Sequence, residues 1–467
     1  MKFLLKFIIL QIFWFVVVTK SSHYSSSLFF LTSLVIVVSD YYIFKPSKNF
    51  LNYFSFTILL LFTGLLNDLF SYVFSFLDFT HYSFSQLTLW IVFVAYYENL
   101  KNRFSNISFP LFFLLSGILG AFTYFSAYRL GGLYILGPQL SYYFLYQFIF
   151  WGVFFPLSVK IYRNDSMLDY LLDLSIIYSF DHTGFIRHKK YFTEDFKFPE
   201  ALNKNALVTG GSDGIGAMVS EKLSEYGANV VFTGRNLKKG LKLQEKLSRS
   251  KFVQLDMADW NQIDEFSAST IQYDYIVLNA GGMPDKLSFN DKGVEHQCAS
   301  QLVGHYRLLE RLRSENKVKL NARVVFVSSG GMYLKSLDID TLFQNQSYDK
   351  VATYANVKRA QVTLVEELAK NQDWKNFCLM SMHPGWVETQ AVKDALPGFY
   401  NFLGKRLRSP FEGADTILWC LLTSEKTESG SFYFDRKKVS PYISSYFNPS
   451  VKQRSLLMSK LKDYIFI

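Results

Sequence analysis

Cysteine is scarce in this chain: three in 467 residues, Cys298, Cys378 and Cys420, far apart and odd in number. No disulfide framework or zinc-binding spacing can be drawn from them, which points to a reducing compartment. Charge is nearly as scarce over the first third. Residues 1–160 hold nine Lys/Arg (Lys2, Lys6, Lys20, Lys45, Lys48, Lys101, Arg103, Arg129, Lys160) and four Asp/Glu (Asp40, Asp68, Asp78, Glu98). By difference from totals of 49 and 39, the remainder holds 40 and 35. Each part nets +5 of the total +10, but charges are about three times denser in the second. That split excludes one uniform soluble globule, and a 49% hydrophobic content excludes intrinsic disorder. The positive excess forms no arginine-rich face, so no nucleic-acid partner is expected. No His/Asp/Glu set has metal-ligand spacing either. His296 and His305 therefore read as structural, and no metal is expected.

What residues 1–160 do have is apolar runs, at roughly Phe3–Val18, Leu28–Val38, Tyr53–Leu66, Leu87–Tyr97, Leu111–Phe125 and Tyr142–Val159. They predict an all-α transmembrane domain of about six helices, or five if Leu51–Leu77 folds differently. Loop charges test this. With the N-terminus inside, cytoplasmic segments carry Lys2, Lys6, Lys45, Lys48, Lys101, Arg103, Lys160 and Arg163, against Lys20 and Arg129 opposite. This is the asymmetry of the positive-inside rule, and an even count leaves everything after Lys160 cytoplasmic. Lys6 interrupts the first run and no small-residue cleavage site follows, so a cleavable signal peptide is disfavoured. Trp14, Trp90 and Trp151 suit interfacial anchoring. Asp68, Asp78, Glu98 and Arg129 lie in or beside apolar stretches, where a charge is costly, and most are expected in loops.

Residues 161–204 read as a linker. Within it Met167–Ile177 forms an amphipathic helix that lies on the membrane surface or packs on the next domain. At 205 the periodicity changes. A short apolar run, Ala206–Val208, leads into Thr209-Gly-Gly-Ser-Asp-Gly-Ile-Gly216, a helix-like stretch to Tyr226, and a second strand at Asn229–Phe232. Strand, glycine turn, helix and strand in about thirty residues make a βαβ unit opening an α/β doubly wound parallel sheet over 205–440. Gly210 permits the tight turn, Gly214 the approach of a pyrophosphate and Gly216 close helix–strand packing. The helix N-terminus places N–H groups at the phosphates. Thr209, Gly210, Ser212, Asp213, Gly214, Ile215 and Gly216 are thus the expected dinucleotide loop.

The spacing TGxxxGxG resembles the short-chain dehydrogenase/reductase superfamily, and further motifs follow in that family's order. The resemblance implies that Asp256 fixes an adenine ring and that Asn279, Ala280 and Gly281 steady the central strand. It makes Ser329 the catalytic serine of Val325-Phe-Val-Ser-Ser329, and Tyr354 and Lys358 the YxxxK pair. Pro384, Gly385, Val387 and Thr389, within PGxxxT, would hold the nicotinamide carboxamide. Ser328–Met332, Tyr354–Gln361, Ser381–Trp386, Leu396–Phe399, Arg406–Ser409, Gly413–Thr416 and Asp435–Lys437 resemble the branch of family member 12. Ala121–Gly132, preceded by Leu87–Trp90, resembles a family of small bacterial inner-membrane proteins without assigned function.

The residue types carry a mechanism. Tyr354 and Lys358, four apart on a helix, share one face. A phenol near pKa 10 is lowered by a neighbouring ammonium and by a bound nicotinamide cation. Tyr354 then gives a proton to a carbonyl as hydride arrives, or takes one in reverse. Ser329 hydrogen-bonds the substrate oxygen and the tyrosine hydroxyl, and Lys358 also grips the nicotinamide ribose. The family's supporting Asn falls at Gln301, which keeps the amide but is one methylene longer. Its relay either survives with a shifted water or runs at reduced activity. After the second strand Thr233-Gly-Arg235 offers a cation, with no acid between Glu225 and Glu245, so NADP(H) is expected over NAD(H). His383 reads as backbone support. Pro449–Ile465, in a C-terminal extension over 441–467, reads as an amphipathic helix covering the substrate side or a homo-oligomer contact.

The expected protein is a multi-pass membrane anchor fused to a cytoplasmic Rossmann-fold reductase. Its expected partners are the lipid bilayer and a small, lipid-like carbonyl or alcohol. Two alternatives stay open: a non-catalytic NADP(H)-binding membrane sensor, and a transporter with an accessory reductase domain.

Overall fold

The computed structural model describes residues 2–20, 26–44, 50–74, 87–95, 97, 107–130, 133, 135, 140–163, 169, 172–173, 175–193, 201–345 and 348–465. The chain divides into two compact units, Met1–Leu174 and Ser175–Ile467.

In the first unit every apolar run forms a helix: Lys2–Lys20, Ser26–Phe44, Phe50–Val73, Leu87–Val92, Phe109–Arg129 and Leu140–Arg163. Among the described residues three stretches are long and apolar enough to cross a membrane: Tyr53–Val73, Phe109–Arg129 and Leu140–Tyr162. Small residues let aromatic rings settle against helix backbones. A Cβ on Gly120 would stand 2.2 Å from the Trp151 ring, and one on Gly64 2.4 Å from Trp90. Hydroxyls turn inward to their own helix: Thr57 donates to Tyr53 O (3.0 Å), Thr63 to Leu59 O (2.8 Å) and Ser116 to Phe112 O (2.6 Å). Asp68 does not sit in a loop. It lies buried within Phe50–Val73, beside Asn67, whose Nδ2 donates to it and to the Tyr124 hydroxyl. Arg129 occupies the last turn of its helix, exposed. Asp78, Glu98, Lys45, Lys48, Lys101, Arg103 and, within Met167–Ile177, Met167, Leu168, Tyr170, Leu171 and Leu174 lie outside the described residues.

The second unit is built on an eight-stranded sheet in the order β3-β2-β1-β4-β5-β6-β7-β8. The strands are β1 Asn205–Thr209, β2 Asn229–Gly234, β3 Ser250–Gln254, β4 Tyr273–Leu278, β5 Val318–Val327, β6 Cys378–Met382, β7 Phe432–Phe434 and β8 Lys437–Val439. All neighbours pair in parallel except β7 with β8. Strand alternation divides the apolar side chains between two cores. Ala206, Val208, Val277 and Val325 pack against the helices Gly214–Glu225 and Pro410–Leu422. Leu207, Ile276, Leu278 and Phe326 pack on the other face with Leu308, Leu364 and Trp374. The C-terminal helix Val451–Ile465 closes this second core. It buries Leu457, Leu461 and Ile465 there, and Arg307 donates to the Tyr464 and Ile465 carbonyls at 2.9 and 3.0 Å. Its apolar stripe is therefore spent inside its own unit.

Strand order reverses between β1 and β4, which opens a crevice at their C-terminal ends. Helix caps fix the surrounding loops: Asp349 accepts from Val351 N and Ala352 N, and Ser409 with Glu412 forms a capping box.

Candidate active site

The glycine loop leaves β1 at this crevice. Gly210 takes φ +62°, and a Cβ there would stand 2.7 Å from Ala280 Cα, so the turn and the close approach both require glycine. Asn279 ties the two strand ends together: its Nδ2 donates to the Thr209 and Gly210 carbonyls at 3.1 and 3.2 Å. Thr209 Oγ1 accepts from the amides of Asn279 (3.0 Å) and Ala280 (3.1 Å) and lies 3.0 Å from His305 Nε2. Burial, aided by the nearby Lys358 charge, pushes His305 down to about 3, so it stays neutral here.

Asp213 caps the helix Gly214–Glu225 by accepting from Gly214 N, and its carboxylate is paired with Lys239. That pairing offsets the one charge in the loop that would oppose a phosphate. Ser212 packs on Gly234 at the end of β2, where a Cβ would meet its Oγ at 2.3 Å. Arg235 follows, exposed. It and Asp256 both act electrostatically on His296, whose pKa is lowered chiefly by burial. Arg235 and Asp256, which follow β2 and β3, thus lie within electrostatic reach of His296. The cradle suits a dinucleotide, because a Cβ on Gly214 (φ +53°) would fill it, meeting Thr389 Cγ2 at 3.1 Å.

Thr389 comes from the opposite wall, where it caps the helix Gln390–Ala395 through Val392 N at 3.2 Å. Ahead of it, Gly385 at φ +76° donates to His383 Nδ1 (3.3 Å), and Val387 pairs with Arg408 in a parallel bridge. Val387 and Ile215 meet over Gly413. His383 thus supports the backbone, and burial holds it at about 3.

Between these walls stand Ser329, Tyr354 and Lys358. Ser329 opens the turn that follows β5, where its Oγ accepts from Gly331 N at 3.2 Å. Tyr354 and Lys358 lie on the helix Lys350–Leu368, with the Lys358 ammonium 5.4 Å from the Tyr354 ring centre. Contrary to the lowering expected from the neighbouring ammonium, burial raises the Tyr354 phenol to about 12, partly opposed by its hydrogen bond with Ser329. Burial alone lowers Lys358 to about 7, and its Nζ donates to Val327 O at 2.9 Å.

Gln301 sits fully buried in a wide helical turn, Ala299–Val303, where Gly304 N bonds five residues back to Ala299 O. Its Nε2 donates to Gly282 O (2.8 Å), and its Oε1 would lie 2.6 Å from a Cβ on Gly281. The carbonyl freed by the wide turn accepts from Gln361 Nε2 at 2.5 Å. Gln361 escaped the sequence reading, although it stands seven residues after Tyr354 and hence on the same helix face. Arg408 escaped it too. It is fully buried and bonds Asp435 at 2.5 and 2.8 Å and Ser179 O at 3.0 Å. Among the described residues no group of three or more His, Cys, Asp or Glu is placed to hold a metal ion.

Comparison with known proteins agrees with this geometry. Residues 204–398 match the family described as short chain dehydrogenase, and residues 3–157 a family described as protein of unknown function (DUF2878). Human dehydrogenase/reductase SDR family member 12 is 34% identical over 249 residues, 51% of this chain and 78% of that protein. Human polyprenol dehydrogenase is 26% identical over 279 residues, 55% of this chain and 84% of that protein. Among solved structures, an uncharacterized protein from Mycobacterium paratuberculosis superposes with TM-score 0.48 at 20% identity, covering 58% of this chain and 96% of that one. The chain carries a Rossmann-type parallel sheet and belongs to the short-chain dehydrogenase/reductase family of oxidoreductases.

Proposed function

We propose that this protein is a membrane-anchored, NADP(H)-preferring oxidoreductase acting on the carbonyl or hydroxyl of an apolar, lipid-like substrate. The reading rests on one observation above all. The Tyr354 hydroxyl faces Ser329 and has the Lys358 ammonium beside its ring, next to a glycine cradle shaped for a dinucleotide. Bound nicotinamide supplies or accepts the hydride. With its phenol held near 12, Tyr354 keeps its proton at neutral pH and gives it to the substrate oxygen in reduction. Ser329 orients that oxygen and the tyrosine hydroxyl. Lys358, held at about 7, favours the phenolate as the proton leaves and holds the nicotinamide ribose. Gln301, with Gln361 on its carbonyl, braces the helix behind Lys358.

Asp256 would hold the adenine, Asn279, Ala280 and Gly281 the strand end beneath the cofactor, and Pro384 to Thr389 the carboxamide. Arg235, exposed where a ribose 2′-phosphate would lie, supports the NADP(H) preference, as does the Lys239 partner of Asp213. The three long apolar helices support a bilayer anchor, while the N-terminus-inside, second-unit-cytoplasmic orientation rests on the loop charges and an even number of spans among the six apolar runs. That anchor, and a relative named polyprenol dehydrogenase, support a lipid-like substrate.

Titration of full-length protein with NADPH and NADH tests the cofactor reading. NADPH should bind tighter, with Arg235→Glu reversing the order; tighter NADH binding to the unaltered protein would overturn it. Turnover with long-chain but not small soluble carbonyls would support the lipid substrate, and the reverse would remove it.

A further inference from the structure

The segment that leads from the apolar helices to β1 does more than connect. Ile176–Phe180 and His182–Lys189 are two short helices joined at Asp181, within the second unit. Phe180 sits behind the two loops that carry the candidate chemistry. Its ring lies so close to the turn after Ser329 that a Cβ on Gly330 would stand 2.5 Å from Phe180 Cε2. On its other sides it meets His383 at 4.5 Å, Trp386 at 5.8 Å and Phe434 at 5.3 Å. Its carbonyl accepts from Trp386 N at 2.9 Å. One residue thus touches the serine turn and the Pro384–Thr389 loop together.

The residues around Phe180 are clamped in turn. The Asp181 carboxylate receives Arg406 at 2.9 and 2.5 Å, and the Arg408 guanidinium donates to the Ser179 and Asp181 carbonyls at 3.0 and 3.2 Å. The same guanidinium grips Asp435 and reaches Pro384 O at 3.4 Å. Such buried, charge-assisted bonds leave the segment little freedom to shift without moving the loops.

We propose that Phe180 is a positioning residue for the reaction. Lodged between Gly330 and Trp386, it sets the spacing between Ser329 and the loop that would seat the nicotinamide. This rests on the oxidoreductase reading above. Small displacements of reacting groups are costly, so in full-length protein Phe180→Ala should lower kcat/KM for a carbonyl substrate by about tenfold or more. The effect should fall on kcat more than on KM, with Phe180→Leu recovering part of it. Gly330→Ala should also lower kcat/KM, and because the added methyl points at the ring, the Phe180→Ala, Gly330→Ala double variant should lose less than the product of the two. Multiplicative losses, or variants with unchanged kcat/KM, would overturn the proposal.

Amide hydrogen exchange gives a readout without turnover. Gly331 and Trp386 should exchange faster in Phe180→Ala, with the Thr209–Gly216 loop unchanged, and unchanged protection at Gly331 and Trp386 would refute the positioning role. A wild-type protein without turnover would instead count against the oxidoreductase reading while leaving this exchange test decisive.

Discussion

The two units treat buried polarity differently. In the first, hydroxyls such as those of Thr57, Thr63 and Ser116 bond carbonyls of their own helix, with a few neutral links between helices such as Asn67 to Tyr124 and Tyr97 to Ser158, and the outer faces stay apolar. Ile58, Leu119 and Phe122 are 66%, 66% and 63% exposed. In the second unit, buried polar groups bond across long sequence separations. Arg408 reaches Ser179, Pro384 and Asp435, and Arg436 grips Asp415 at 2.8 and 2.6 Å. The bilayer proposed for the first unit would offer no partners and tolerate apolar surface, so mostly local satisfaction suffices there. In water a site must be held in shape by its interior, and cross-linking charges do that. Glycine divides the same way. Gly64 and Gly120 make room for tryptophan rings, whereas Gly210 and Gly385 take conformations that other residues resist.

The contrast predicts a ranking of effects. Removing one partner of a fully buried ion pair leaves the other charge stranded, so Asp435→Ala should cost about 3–5 kcal/mol by denaturant unfolding of the second unit. Arg408 first and His188 next overcome burial to hold Asp435 at about 2. Asp435 also starts the β7–β8 turn with Arg436, at φ +45° and +59°, and the bonds from Arg408 to Asp435 and from Arg436 to Asp415 hold that unfavourable backbone. A cost below about 1 kcal/mol would place the pair among weak surface bridges instead.

A smaller and pH-dependent effect belongs to Lys358. Its folded pKa of about 7 lies below the unfolded value near 10.4, so the unfolded state binds more protons between these limits. Stability therefore rises with pH across that window, and the burial cost is greatest near and below pH 7. Lys358→Met should raise the melting temperature at pH 7 by a few degrees, with the gain shrinking towards pH 10. A gain independent of pH would mean that the amine keeps its ordinary pKa in the folded protein.

The smallest effect is expected in the first unit. Thr63→Val removes a hydroxyl that serves only its own helix, and unfolding in detergent should change by less than about 1 kcal/mol. A larger loss would show that this hydroxyl links helices, closing the contrast.

Local features were legible in the sequence and distant pairings were not. The βαβ opening was legible because a glycine turn between two apolar strands permits few alternatives, and Tyr354 and Lys358 followed from helix spacing. The six apolar runs announced six helices, though not that Leu87–Val92 would be so short or that Asp68 would lie inside one. Arg406, Arg408 and Asp435 stood within motifs that marked a branch but revealed no role. The arginines' bonds to Asp181 and Ser179, and Asp435's to His188, join positions more than two hundred residues apart. Gln361 was hidden for another reason: its partner is a main-chain carbonyl exposed by one wide helical turn.

The central claim is tested most directly by Tyr354→Phe in full-length protein reconstituted with lipid, following NADPH consumption with a long-chain aldehyde or ketone. The account predicts turnover by the unaltered protein and a loss of about 10²–10⁴-fold in the variant, with NADPH binding retained. Equal turnover by both proteins would contradict it.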